Sequence, residues 1–178
     1  LLDCRPRFPV LDAVGRVRSR QAPVQAWTPE EVRRLLAAAE GLQGRYGGRF
    51  DKAAYWRSYI LADWDLGWRG CDMRTFPVAA VAERVTIVQA KTGRVVYGRL
   101  REPALAAIRD FLGRDRRELV WPLWCRLSTW RLVARRLVRR AGLPGSIGWL
   151  RRSAATACEL DHPGAGYQFL GNTPDVFY

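Results

Sequence analysis

The chain has 178 residues, 48% of them hydrophobic, and carries a formal net charge of +13 with 30 basic against 17 acidic side chains. That length suits one domain with a short extension, and the apolar content is enough for a packed core, which excludes a largely disordered protein. The charge points to a polyanionic partner such as nucleic acid, because clustered guanidiniums neutralise phosphates and release their counterions. A membrane is disfavoured, since no run of about 18 apolar residues exists. Cys4, Cys71, Cys125 and Cys158 are scattered, and His162 is the single histidine, so the spacing of a metal site is missing and no metal or cofactor is expected. Isolated cysteines without a signal peptide fit a reducing cytoplasm.

Residues 1–26 are rich in Arg and Pro without periodicity and read as a basic linker. The chain starts at Leu1 and its one methionine is Met73, so it reads as part of a longer protein. Thr28-Pro29-Glu30-Glu31 is a capping box that opens a helix with Val32, Leu35, Leu36 and Ala39 on one face and Gly41 at its end. A Gly-rich loop over 41–49 leads to a second helix from about Asp51 to Leu66, stopped by Gly67. The runs 84–90 and 94–100 are β-branched and flank Lys91-Thr92-Gly93, which predicts a hairpin.

Glu102 to Leu112 is an amphipathic helix with Leu105, Ile108, Phe111 and Leu112 inward. Ser128 is the expected cap of a helix over 129–141, with Leu132, Val133, Leu137 and Val138 as its core stripe. Arg131, Arg135, Arg136, Arg139 and Arg140 crowd the rest of that helix, a density of like charge that a phosphate backbone would relieve, although a solvated basic face accounts for it as well. A loop over 145–148 precedes a helix from near Arg151 to about Leu160. A further helical turn or two runs from Ala165 to Leu170, with Tyr167 expected in the core beside Leu170, and Gly171-Asn172-Thr173-Pro174 opens a last helix into Tyr178. The predicted fold is mainly α with a small antiparallel β-hairpin or three-stranded sheet.

Lys52 and Lys91 are the only lysines among the 30 basic residues, so 28 are arginine. Guanidinium stays protonated in proteins, whereas an ammonium can release a proton to a leaving group, which makes Lys91 a candidate general acid; a surface turn residue is the plainer alternative. Arg69 follows Leu66-Gly67-Trp68 at a helix end, with Asp72 three residues on and in reach of the guanidinium. Arg151 sits at a helix start, where free amides and the dipole also favour an anion.

An Arg after a Gly at a helix end, a Lys in the following hairpin, an Arg in Leu150-Arg151-Arg152-Ser153, and Leu170-Gly171 ahead of a terminal tyrosine together resemble the tyrosine recombinase (phage integrase) catalytic domain. The resemblance spans about 27–178 and includes the Thr-Pro-Glu-Glu opening helix. It implies a mobile-element integrase or recombinase of bacterial cytoplasm, acting on double-stranded DNA as a tetramer. Residues 1–26 would lead out of an upstream DNA-binding domain, and the catalytic domain is expected to be truncated at its C-terminus. Site-specific DNA cleavage and rejoining would pass through a 3′-phosphotyrosyl intermediate, with Arg69 and Arg151 on the phosphate, Lys91 as proton donor, Asn172 as a hydrogen-bond donor and Tyr178 as nucleophile. Arg131, Arg135, Arg139 and Arg152 would contact DNA.

The chain departs from that pattern at two positions. The family usually has His three residues before the second Arg, where Gly148 stands here, with Arg152 or Trp149 as possible substitutes. It usually has His or Trp after the Leu-Gly, where Asn172 stands. Its tyrosine tends to fall about one helical turn farther on, roughly 3 residues, so either Tyr178 attacks from a shortened helix or the nucleophile lies beyond residue 178. A catalytically degenerate DNA-binding module is the alternative to an enzyme. A basic RNA-binding protein of the ribosomal kind explains the charge but not the ordered motifs.

Overall fold

The computed structural model describes residues 25–170, and the chain is built around one helix buried on every side. α1 spans Pro29–Glu40 with the expected capping box: Thr28 N donates to Glu31 Oε2 at 2.9 Å and Glu31 N to Thr28 Oγ1 at 3.3 Å. Val32, Leu35 and Ala39 are buried and Leu36 packs at the margin, as the spacing predicts. The Gly-rich loop holds a two-stranded ribbon that the sequence reading missed, β1 at Arg45–Tyr46 and β2 at Phe50–Asp51. Strands of two residues leave no periodicity to detect.

α2, Lys52–Leu66, is capped by the Asp51 side chain, which accepts from Ala54 N at 2.9 Å. Tyr55, Trp56, Tyr59, Ile60, Ala62 and Leu66 are buried around its circumference, the pattern of a helix at the centre of a domain rather than at its surface. α1, α4 (Glu102–Leu112) and α6 (Trp149–Asp161) pack on it. Its aromatic rings carry polar ends, and these are paired inside the core. Trp56 Nε1 donates to Tyr46 Oη at 2.8 Å, Trp130 Nε1 to Tyr55 Oη at 2.8 Å, and Trp121 Nε1 to Ser58 Oγ at 2.9 Å.

Gly67 ends α2 in the left-handed region at φ 55°, and its N–H closes on Asp63 O. A short helix unforeseen from the sequence follows, α3 at Gly70–Arg74, and then a 3₁₀ turn at Val78–Ala80. The predicted hairpin forms as β3 (Arg84–Val88) and β4 (Val95–Arg99), pairing Arg84 with Arg99 and Val88 with Val95. It remains two-stranded among the described residues, so of the two sheet forms expected the hairpin is the one present. Val85 and Val96 face the core, and Gly98 lies against α2 so closely that a Cβ there would come within 2.5 Å of Leu66.

α5 spans Leu127–Arg140, and two expectations for it are corrected. Arg126, not Ser128, holds the N-cap position, and no side chain caps it. The buried stripe is Trp130, Ala134, Leu137 and Val138, while Leu132 is 41% exposed. Leu137 and Val138 are buried as expected and Val133 packs at the core margin, while Trp130, hydrogen-bonded to Tyr55, and Ala134 complete the stripe in place of Leu132. α7, Gly166–Phe169, closes the described chain; the side chain of Tyr167 lies outside what is described, as do residues 1–24 and 171–178, including Cys4, Asn172 and Tyr178. No helix among the described residues is long and apolar enough to cross a membrane.

Gly67 is where this packing is least forgiving. A Cβ there would sit 2.2 Å from Phe169 Cε1, on a backbone that L-residues enter at a cost. Gly67→Ala is therefore expected to lower stability by roughly 2–4 kcal/mol, combining left-handed strain with overpacking. Urea unfolding measures it, and a loss under about 1 kcal/mol would mean that α7 does not press on this turn.

Candidate active site

The turn after α2 positions the first of the sequence-predicted groups. Trp68 is buried, and its burial fixes Arg69 as the N-cap residue of α3 with extended backbone. Arg69 Nη1 donates to Gln89 Oε1, just past the end of β3. Gln89 is 1% exposed, and the same oxygen accepts from Thr92 Oγ1 at 2.8 Å. Its carbonyl receives Gly93 N at 2.9 Å, and its N–H donates to Arg94 O at 2.8 Å, so Gln89 organises the whole turn that carries Lys91. Lys91 itself is exposed at that turn.

Asp72 does something other than pair with Arg69, as was expected of it. Its Oδ1 accepts from Ala90 N at 3.0 Å, and the Cys71 thiol lies at 3.7 Å from the same oxygen. The carboxylate thus fastens α3 to the hairpin turn, and Gln89 takes the place proposed for Asp72 beside the guanidinium. Nothing in the sequence singles out Gln89: one buried polar residue at a strand end carries no periodic signal.

Arg151 arrives from the first turn of α6. Its guanidinium spans two backbone carbonyls, with Nη1 donating to Gly67 O and Nη2 to Leu170 O at 2.9 Å. One bond ends on the turn that presents Arg69 and the other on the last described residue. Burial, and then the charge of Arg69, pull its pKa down to about 10. It remains a cation at neutral pH, and two like charges held together in partial burial are stabilised by an oxyanion between them. Two of the first amides of α6 are already engaged, Trp149 N by Ser146 O at 2.9 Å and Leu150 N by Ile147 O at 3.0 Å.

Unpaired buried polar atoms concentrate here. Of the six among the described residues, Asp63 Oδ1, Trp68 Nε1, Asp72 Oδ2 and Gln89 Nε2 belong to the segments that form this site. Folded proteins tolerate few such atoms, and a cluster of them marks a place shaped for something other than stability.

The remaining predicted residues fall elsewhere. Arg131, Arg135 and Arg139 are all exposed on α5, and the first two line a cleft of about 340 Å³ with Trp130, Ser146, Ile147 and Gly148. Gly148 has ordinary helical backbone at φ −65°, and a Cβ there would meet only Ser146 Oγ at 3.7 Å, so no packing requirement imposes glycine. Trp149 is engaged structurally, packed at 6.0 Å on Trp27 and against Gly145, with the Arg152 guanidinium 5.5 Å over its ring. His162 is exposed at the end of α6, the surface position expected of it.

No protein-family model matches this sequence, and no curated protein matches it. Solved structures do. XerA recombinase superposes with a TM-score of 0.68 at 15% identity, covering 96% of this chain and 62% of that one. The lambda integrase catalytic core superposes at 0.65 and 18% identity, covering 83% of this chain and 95% of that one. The fold is that of a tyrosine recombinase catalytic domain. A lambda integrase tetramer bound to a Holliday junction matches at 0.66 and 17% identity, over 92% of this chain and 49% of that one. The chain thus spans under two thirds of the XerA recombinase and about half of the integrase chain in the tetramer, while it spans nearly all of the integrase catalytic core.

Proposed function

We propose that this chain cleaves and rejoins duplex DNA at specific sites through a 3′-phosphotyrosyl intermediate, with residues 27–178 as the catalytic domain and 1–26 as the linker to a further DNA-binding domain. The observation that carries it is the pairing of Arg69 with Arg151 across Gly67, with the Lys91 turn tied to Arg69 through Gln89. The tyrosine recombinase fold, present in XerA recombinase and lambda integrase, supports it.

In this reading the two guanidiniums neutralise the charge that builds on the non-bridging phosphate oxygens. The phenolic oxygen of Tyr178 attacks phosphorus and gives up its proton, the bond from phosphorus to the 5′-oxygen breaks, and Lys91 protonates that oxygen as it leaves. The phosphotyrosine preserves the energy of the broken diester, so the reverse attack by a 5′-hydroxyl rejoins DNA with nothing consumed. Asn172 donates a hydrogen bond to the phosphate, and the exposed Arg131, Arg135, Arg139 and Arg152 hold the flanking backbone. The DNA-bound tetramer known for lambda integrase suggests four copies on two duplexes.

A second reading follows from Gly148, which offers only backbone where the resembling family usually has histidine. On that reading the chain is an integrase-like module that binds DNA without cutting it. A pool of nicked, randomised duplexes mixed with the protein separates the two. Strand transfer yields a DNA adduct that survives denaturant and is lost in Tyr178→Phe. Salt-sensitive binding with no adduct across the whole pool would leave the binding module standing.

A further inference from the structure

One helical turn before Gly67, whose carbonyl accepts from Arg151, stands a carboxyl group that strand transfer, as outlined above, does not use. Asp63 is on the inward side of α2, 4% exposed, and its Oδ1 has no hydrogen-bond partner among the described residues. A carboxylate in the middle of a helix core is costly unless it is paired or neutral. Asp65, two residues on, contrasts with it, holding Arg101 at 2.6 Å. Asp63 has no such ion pair among the described residues; the cation acting on it is Arg151 of α6.

Its surroundings are few in kind. On α2 itself, Tyr59 is one turn back, fully buried, and raised in pKa first by burial and then by the Asp63 charge, with Arg74 of α3 opposing. From α6 comes Arg151, which is acted on in turn by the charges of Arg69, Asp63, Asp72 and Cys71. The backbone joins Asp63 to Arg151 as well: Asp63 O accepts from Gly67 N at 2.8 Å, and Gly67 O in turn accepts from Arg151 Nη1.

We propose that Asp63 is a proton-linked positioning residue for the Arg69–Arg151 pair: it takes up a proton from solvent when an oxyanion occupies the two guanidiniums and releases it when the oxyanion leaves. With the site empty, an ionised Asp63 offsets the mutual repulsion of the two arginines and keeps Arg151 on its two carbonyls. An incoming phosphate takes over that role and repels the buried carboxylate, which neutralises. Burial already raises the Asp63 pKa to about 7, so the exchange falls in the physiological range. The signs are linked: an anion that favours protonated Asp63 binds more tightly as pH falls and more weakly as pH rises through neutrality.

This rests on reading Arg69 and Arg151 as a phosphate-binding pair, not on strand cleavage itself. Inorganic sulfate is a suitable probe, because its charge is constant from pH 5.5 to 8.5. At fixed ionic strength, the arginine Nε–H resonances of Arg69 and Arg151 report its binding. The affinity is expected to fall by at least about fivefold across that range, the lower end of ordinary coupling between sites, and to change less than about twofold in Asp63→Asn. In the unaltered protein, the carboxyl carbon of Asp63 should titrate at a higher pH with sulfate than without, which keeps the idea testable if the variant folds poorly. A flat profile in the native protein, a slope retained in Asp63→Asn, or a carboxyl midpoint unmoved by sulfate overturns it. An absence of DNA adducts would remove the strand-transfer reading and leave these results untouched.

Discussion

Arg151→Ala is expected to abolish DNA cleavage and to weaken the fold at once, because one guanidinium serves both. On the structural side it bridges Gly67 O and Leu170 O, two carbonyls of buried residues on separate segments. Removing it leaves both unpaired, at about 1–3 kcal/mol for each buried group stripped of its partner. On the chemical side it is half of the cationic pair, and loss of one charge-stabilising group from a preorganised site commonly costs about 10²–10³ in rate. Arg151→Lys separates the two contributions. Lysine keeps the charge but presents it as a point on a flexible stem, unable to span two carbonyls while facing a phosphate, so the expected result is a stable charge with poor cleavage. Single-turnover cleavage, read beside a thermal melt of each variant, checks this. Cleavage within about tenfold of the native rate in a folded Arg151→Ala protein would remove Arg151 from the phosphate, since tenfold is under what such groups contribute.

The second large effect is expected at Lys91. Lys91→Arg keeps the positive charge on the exposed turn and should leave DNA affinity nearly unchanged, since the phosphate backbone responds to charge before geometry. Guanidinium does not release a proton in this pH range, so the cleavage step should slow by about 10²–10⁴, the range of general acid catalysis. A diester whose bridging 5′-oxygen is replaced by sulfur tests the assignment, because a thiolate leaves without needing that proton. The substituted DNA should be cut by Lys91→Arg at close to the native rate. Equal defects on both substrates would place Lys91 in binding or turn formation. The turn itself is secured by Gln89, Thr92 and the Asp72 carboxylate, none of which the substitution touches.

The pH behaviour of stability follows from Asp63 independently of DNA. Its carboxyl binds a proton more tightly in the folded chain than in the unfolded one, where its value is near 3.8. The stability associated with it is therefore complete in acid below that value and is lost as pH rises through about 7. The gain from removing a buried charge explains why Asp63→Asn should lose this part of the pH dependence.

Much of this chain could be read before its structure was known. Local chemistry specified the elements whose ends carry strong signals: the Thr28 to Glu31 capping box, the Gly67 stop, the helix over Glu102–Leu112 and the hairpin about Lys91-Thr92-Gly93 all occur where the sequence puts them. These depend on contacts within about four residues, so the neighbouring residues suffice to predict them. The α5 face is legible only in part, with Leu137 and Val138 inward as expected but Trp130 unforeseen, for the complementary reason. Its apolar stripe is selected by Tyr55 and the α2 surface, 75 residues away in sequence at the Trp130 contact, and periodicity cannot see across that distance.

The residue types of the candidate site belong to the same division. Composition marked Lys91 as unusual, and the resemblance to the tyrosine recombinase catalytic domain gave the order of Arg69, Lys91 and Arg151 its meaning. Which atoms hold these groups was decided by tertiary structure: Gln89 rather than Asp72 beside Arg69, two carbonyls under Arg151, and Asp63 buried one turn before Gly67. Hydrogen-bond partners and buried charges depend on which segments meet in space and on how much water is excluded there, and neither is a property of any stretch of sequence taken by itself.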